Sequence, residues 1–190
     1  MNAHTPQPPS ASEHNPRRLP IATLADAGAA LQGQTPLGEL PRLASACPGS
    51  PVDTPLHWQA RFSTRQPPGQ SKEVWLALQA EVPLTLECQR CLQAMPELLQ
   101  VQRAFRFAPD EASAARLDEE LVEDVLVISR HFDLLELIED ELIMALPFAP
   151  RHADCQPAAS LQDDSPVADE QPHPFAVLQQ LKHKPPQSDQ

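Results

Sequence analysis

Positions 88 to 91 read Cys-Gln-Arg-Cys, and positions 152 to 155 read His-Ala-Asp-Cys. Two pairs of soft donors, each spaced by two residues, supply the three thiolates and one imidazole that a closed tetrahedral zinc site uses. Such a cluster is net negative, and Arg90 and Arg151 flank it. Two other chemistries fit the same residues. Cys88 and Cys91 alone would make a redox dithiol, but a redox thiolate is usually activated at a helix N-terminus in a βαβ setting, and these cysteines follow a strand pattern. Alternatively, they are reduced thiols at a turn, with Cys155 unrelated in a loop. Spacing leaves the three open, and a metal site closes only if folding joins the two distant pairs. Cys47, in "SACPGSP", stands apart and reads as a free thiol.

Other reactive groupings are scarce. With 5 glycines there is no phosphate-cradling loop, and no nucleophile elbow or paired-histidine metalloprotease motif occurs. The Glu139-Asp140-Glu141 run reads as the solvated face of a helix rather than a catalytic acid pair. His57 and His131 are isolated and read as structural or surface residues. Arg103 and Arg106 interleave with Phe105 and Phe107 as base-stacking sheets do, but alternation places the phenylalanines toward the core and the arginines outward.

The elements that must position the cysteines are legible as periodicities. "IATLADAGAAL" (21 to 31), ending before Gly33, reads as a short helix; Thr35 and Pro36 then read as the cap and first residue of a second, with Leu37, Leu40 and Leu43 on one side. Leu56, Trp58, Ala60 and Phe62 alternate with polar residues, as on a strand with one buried face. After a turn at "RQPPGQS", every second residue from Val74 to Leu86 is apolar, giving one long strand or two pieces bent near Pro83. Leu99, Val101, Phe105 and Phe107 continue the pattern, so the Cys88–Cys91 pair falls on a connection between two antiparallel strands. A fourth strand, Val125 to Ile128, follows an acidic loop. Asp133 caps a helix with apolar residues at 134, 135, 138, 142 and 145, stopped by Pro147. The expected fold is α+β: an antiparallel sheet covered by this long helix and by the N-terminal helices.

Composition bounds the rest. A chain of 190 residues with 41% hydrophobic content supports one core, placed at 19 to 155. Residues 1 to 18 are proline-rich and read as disordered, 156 to 172 as a flexible linker, 173 to 184 as a short amphipathic helix, and 185 to 190 as a disordered tail. In that helix Pro174 opens a stripe of Phe175, Val177, Leu178 and Leu181 that needs a surface to dock on, and a partner protein is favoured. A net charge of −12 opposes nonspecific attraction to nucleic-acid phosphates. No stretch reaches bilayer length and no secretory h-region is evident, so a cytoplasmic location is expected.

Three segments in order, "LTLECQRCL", "IEDELIMALPFAPRHADC" and "PFAVLQQLK", resemble the YceD family, the large ribosomal RNA subunit accumulation proteins of bacteria and plastids. The resemblance implies a role in synthesis, processing or stability of large-subunit (23S) ribosomal RNA. It places the family's cysteine pair on Cys88 and Cys91, its post-helix histidine on His152 and its following cysteine on Cys155, which moves a structural zinc ahead of the other readings. Taken with the absence of a catalytic set and the net charge of −12, it points to a non-enzymatic factor reaching ribosomal RNA indirectly or weakly. The partner would be a basic ribosomal protein or a large-subunit assembly factor, with the carboxylates of 110 to 124 offering complementary charge. No small-molecule substrate is implied. The competing class is a zinc-dependent RNA hydrolase, which would need an open coordination position.

Overall fold

The computed structural model describes residues 14–69, 71–120 and 123–157. Alternation sets the frame. In β2 (Pro55–Arg65) Leu56, Trp58, Ala60 and Phe62 are buried while His57, Gln59 and Arg61 are exposed. β3 (Glu73–Glu87) buries every even residue from Val74 to Leu86, and β4 (Ala94–Ala108) buries Met95, Leu99, Val101, Phe105 and Phe107. β3 is one continuous strand. Its pairing with β2 ends at His57↔Glu81, so Pro83 lies where β3 has outrun that neighbour and has an edge, the setting in which a strand tolerates proline.

The strand order is β1-β2-β3-β4-β5, but the sheet is mixed rather than wholly antiparallel. β5 (Asp124–Val127) pairs parallel to β4 because the expected acidic loop is a helix, α3 (Glu111–Glu120), that carries the chain back before β5 begins. The N-terminal reading also changes. α1 covers only Ile21–Asp26, and the end of the expected helix belongs to strand β1 (Ala30–Pro36). Alanine-rich local sequence favoured helix, but burying Leu31 and pairing it with Ala60 on the sheet prevails. Gly33 is a close approach, not a helix stop: a Cβ there would lie 2.4 Å from the Trp58 ring. Trp58 Nε1 donates to Thr35 Oγ1 at 3.1 Å, so Thr35 is a buried acceptor rather than a helix cap. The second helix, α2 (Pro41–Ala46), starts at Pro41 after a single 3₁₀ turn, Leu37–Glu39, and Leu37, Leu40 and Leu43 are all buried.

α4 (Leu134–Ala145) begins as its cap requires, with Glu136 N donating to Asp133 Oδ1 at 3.0 Å. Leu134, Leu135, Ile138 and Leu142 enter the core; Ala145 is exposed. Its main contacts are β4 and α2, while α1 packs on β2 and β3, so the helical cover is shared rather than supplied by one long helix. Of the acidic run on α4 only Asp140 is solvated to any extent. Glu139 and Glu141 are 5% and 7% exposed, each held by an arginine from another element. Arg103 is one of those arginines. It shares the parity of Val101 and Phe105 and reaches Glu141 on α4, which corrects its outward placement. Arg106, of opposite parity, is mostly buried and paired with Glu73 at 3.0 Å.

Pro16 O accepts from Leu134 N at 2.8 Å, and Arg17 reaches Asp133 and the Glu39 carbonyl, so described contacts to α4 begin before Leu19. Residues 1 to 13, 158 to 172 of the linker, and the 173 to 184 segment with Phe175, Val177, Leu178 and Leu181 lie outside the described residues.

Candidate metal centre

The β3–β4 hairpin extends well beyond β2 and turns at residues 88 to 93. Cys88 N donates to Gln93 O and Leu92 N donates to Cys88 O, both at 2.9 Å, closing a tight loop with Leu92 in the left-handed region at φ 59. The second segment arrives from α4. Pro147 and Pro150 prevent helix continuation, and Gln89 N donates to Pro150 O at 2.8 Å, which sets the two segments side by side. The juxtaposition that spacing alone left open is therefore made by the backbone.

Four ligand atoms meet there: Sγ of Cys88, Cys91 and Cys155 and a ring nitrogen of His152 all lie within 4.8 Å of one another. Cys88 Sγ is 3.7 Å from Cys155 Sγ, and Cys91 Sγ is 3.4 Å from His152 Nδ1. Metal–sulfur bonds of about 2.3 Å and metal–nitrogen bonds of about 2.0 Å at tetrahedral angles imply edges of about 3.8 and 3.5 Å. The donor set, its spacing and its count thus fit one small tetrahedral cation. Cys88 is fully buried, while the other three are half-buried.

The thiols are not equivalent. Burial opposes charge on Cys88, but the backbone N–H groups of Cys91, His152 and Arg90, with the Cys91 thiol, together outweigh it and bring Cys88 down to about 5. Burial, hydrogen bonds to the other two sulfurs and their charge push Cys155 up to about 11. Cys88 is thus favoured as a thiolate, and a cation entering the cage would displace the Cys155 proton. Arg90 and Arg151 are exposed beside the cage. Cys47 is free, as expected, but belongs to the core, and burial pushes its thiol up.

Residue chemistry in the sequence did not mark the neighbouring surface. Leu92 is 55% exposed and Phe148 wholly so, and both line a groove beside the cage. The visible signal was "LPFAP", an apolar residue between prolines that can neither continue α4 nor retreat into the core.

Comparison with known proteins agrees with the order of the motifs. Residues 76–182 match the YceD family, described as large ribosomal RNA subunit accumulation protein YceD. The curated protein of that name from Haemophilus influenzae is 34% identical over 112 residues, covering 55% of this chain and 63% of that relative. The match thus spans less than two thirds of the relative's own length. No solved structure matches the chain.

Proposed function

The chain belongs to the YceD family of large ribosomal RNA subunit accumulation proteins, and from that premise we propose that it is a non-enzymatic cytoplasmic factor supporting 23S ribosomal RNA during large-subunit assembly. In this reading Cys88, Cys91, His152 and Cys155 hold one structural zinc. The supporting observation is that donors from two distant segments converge with separations near tetrahedral edges. When bound, the ion would supply a rigid crosslink. Four protein donors leave no coordination position for a water nucleophile, so the site is assigned a structural task.

The RNA would be reached through a protein. α3 displays Glu111, Asp118, Glu119 and Glu120, with Asp110 accepting from Ser113 N at its start, and none of the helix is buried. A basic ribosomal protein or assembly factor complements that charge. Phe175, Val177, Leu178 and Leu181 are proposed as a second, tethered partner anchor.

The test has three arms on one strain and one preparation. Deletion should lower 23S relative to 16S ribosomal RNA, anaerobically purified protein should carry one zinc per chain, and 23S RNA incubated with it should stay intact. An unchanged ratio would overturn the ribosomal reading, RNA cleavage the non-enzymatic one, and zinc-free protein the structural one. The backbone donors that bring the Cys88 thiol down to about 5 favour a second reading, a redox dithiol, which predicts a reversible Cys88–Cys91 disulfide under mild oxidant even when zinc is supplied.

A further inference from the structure

The groove beside the cage encloses about 470 Å³ between the 46–49 loop, the end of the β3–β4 hairpin and the segment after α4. Its walls are mainly apolar: Pro48, Leu86, Leu92, Leu146, Pro147 and Phe148. Two of them are poor surface residues. Phe148 is fully exposed at the rim, and Leu92 holds 55% exposure in a backbone conformation that bulky side chains rarely adopt. Isolated exposed leucines mean little, but two large apolar residues flanking one concave surface mark a place where something docks. Strain at Leu92 is sustained because the cage and the Gln89–Pro150 hydrogen bond hold both walls.

We propose that this groove is a docking site for a basic protein segment that inserts an apolar anchor between Leu92 and Phe148 and places a cationic side chain on Glu87. Charge selects the occupant. Among the described residues, Glu87 is the one carboxylate lining the groove, it is exposed, and no Lys or Arg lines it. The chain's charge of −12 would steer a basic partner toward it and repel a second copy. A small apolar ligand would fill the cavity but leave Phe148 in water; a polypeptide covers both. The partner class rests on the ribosomal reading, whereas the apolar and acidic character of the groove does not.

The assay uses full-length, zinc-loaded protein, and the probe is the set of basic proteins released from large ribosomal subunits by high salt, fractionated individually. One should bind saturably. Phe148→Asp should weaken it about tenfold or more, and Leu92→Ala by a similar order, as for anchor residues. Glu87→Gln should weaken it about two- to fivefold and flatten its salt dependence. Both aromatic and acidic variants alter exposed positions, so zinc content and thermal midpoint should be unchanged, which separates docking from folding. Binding indifferent to Phe148→Asp overturns the proposal, as does a self-association that Phe148→Asp abolishes. In cells, Phe148→Asp should lower 23S RNA as deletion does. If deletion lowers it and Phe148→Asp does not, the groove fails while the ribosomal role stands; if deletion has no effect, the role fails whatever the groove binds.

Discussion

α4 is tied to the rest of the domain in two regions by opposite means. Beyond its C-terminus, soft donors form a compact cage with the β3–β4 hairpin. Along its body, hard carboxylates do the work: Glu139 Oε1 accepts from Arg42 N at 2.7 Å and Leu43 N at 3.1 Å while Oε2 meets the Arg42 guanidinium at 2.9 Å, and Glu141 Oε2 meets Arg103 Nε at 3.0 Å. In the proposed zinc-bound form the cage would draw its strength from four donors shared around one ion, with Cys88 buried and the other three half-buried. The ion pairs must repay the desolvation of each carboxylate with hydrogen bonds already present in the fold. Under the zinc reading one tie would be conditional on a cation and on thiol protonation, whereas the other is built into the fold and only partly compensated.

Breaking the cage should have the larger effect. Cys88→Ser should reduce zinc from one per chain to near none and cost on the order of 4 kcal/mol, read as a fall of about 10 °C or more in thermal midpoint. The core under α1, α2 and α4 does not include the ligands other than through their neighbours, so far-UV circular dichroism should survive. Hydrogen exchange should accelerate at residues 88 to 93 and 150 to 155. A variant that retains zinc, or unfolds globally, would contradict this division of labour.

Glu139→Ala should come next. It removes the acceptor for two α2 amides and leaves Arg42 facing only Asp140 at 2.6 Å. Because Arg42 is half-exposed, solvent recovers part of the loss, and the cost should be about 2 kcal/mol, most of it from the orphaned amides. Zinc content should not change. If chemical denaturation shows less than about 0.5 kcal/mol, the buried carboxylate is not what holds α2.

The contrast also explains what was legible in the sequence. Cysteine and histidine at two-residue spacing advertise a chemistry that few other roles require, so the cage could be read as a candidate before any fold was known. The strands were equally plain, because one buried face imposes a period of two over β2, β3 and β4. Glu139 and Glu141 carried no such signal: a glutamate on a helix is ordinarily solvated, and their partners, Arg42 and Arg103, lie far off in sequence. β1 was missed for a related reason. Its helix-like alanines, Gly33 and Thr35 acquire their meaning only against Trp58, which the chain supplies later. The parallel pairing of β5 depended on recognising α3 as a helix, and α3 buries nothing that would give it an apolar stripe. Leu92 carried no mark because exposure is a property of the fold, and Phe148 carried only its place between Pro147 and Pro150.

The smallest effect is the sharpest test of the ion-pair side, because it concerns a sign. Burial raises the Glu141 carboxyl above its ordinary 4.5; Arg103 opposes the shift, and Asp124 and Asp140 add to it. A raised folded-state value means that the folded protein holds this proton after the unfolded chain has lost it. The associated stability is complete below pH 4.5 and declines as pH rises through the folded value, after which the loss is constant. Ionised Glu141 is then a net cost at neutral pH despite its arginine. Glu141→Gln preserves shape and an acceptor for Arg103 Nε while removing the charge. It should match wild type at pH 4, become the more stable of the two as pH rises, and hold that advantage at pH 7 within about 1 kcal/mol. Urea denaturation of both proteins from pH 4 to 7.5 gives the comparison. Wild type proving more stable at pH 7 would mean that the Arg103 pair outweighs burial, and that both carboxylates on α4 stabilise the fold in the same way.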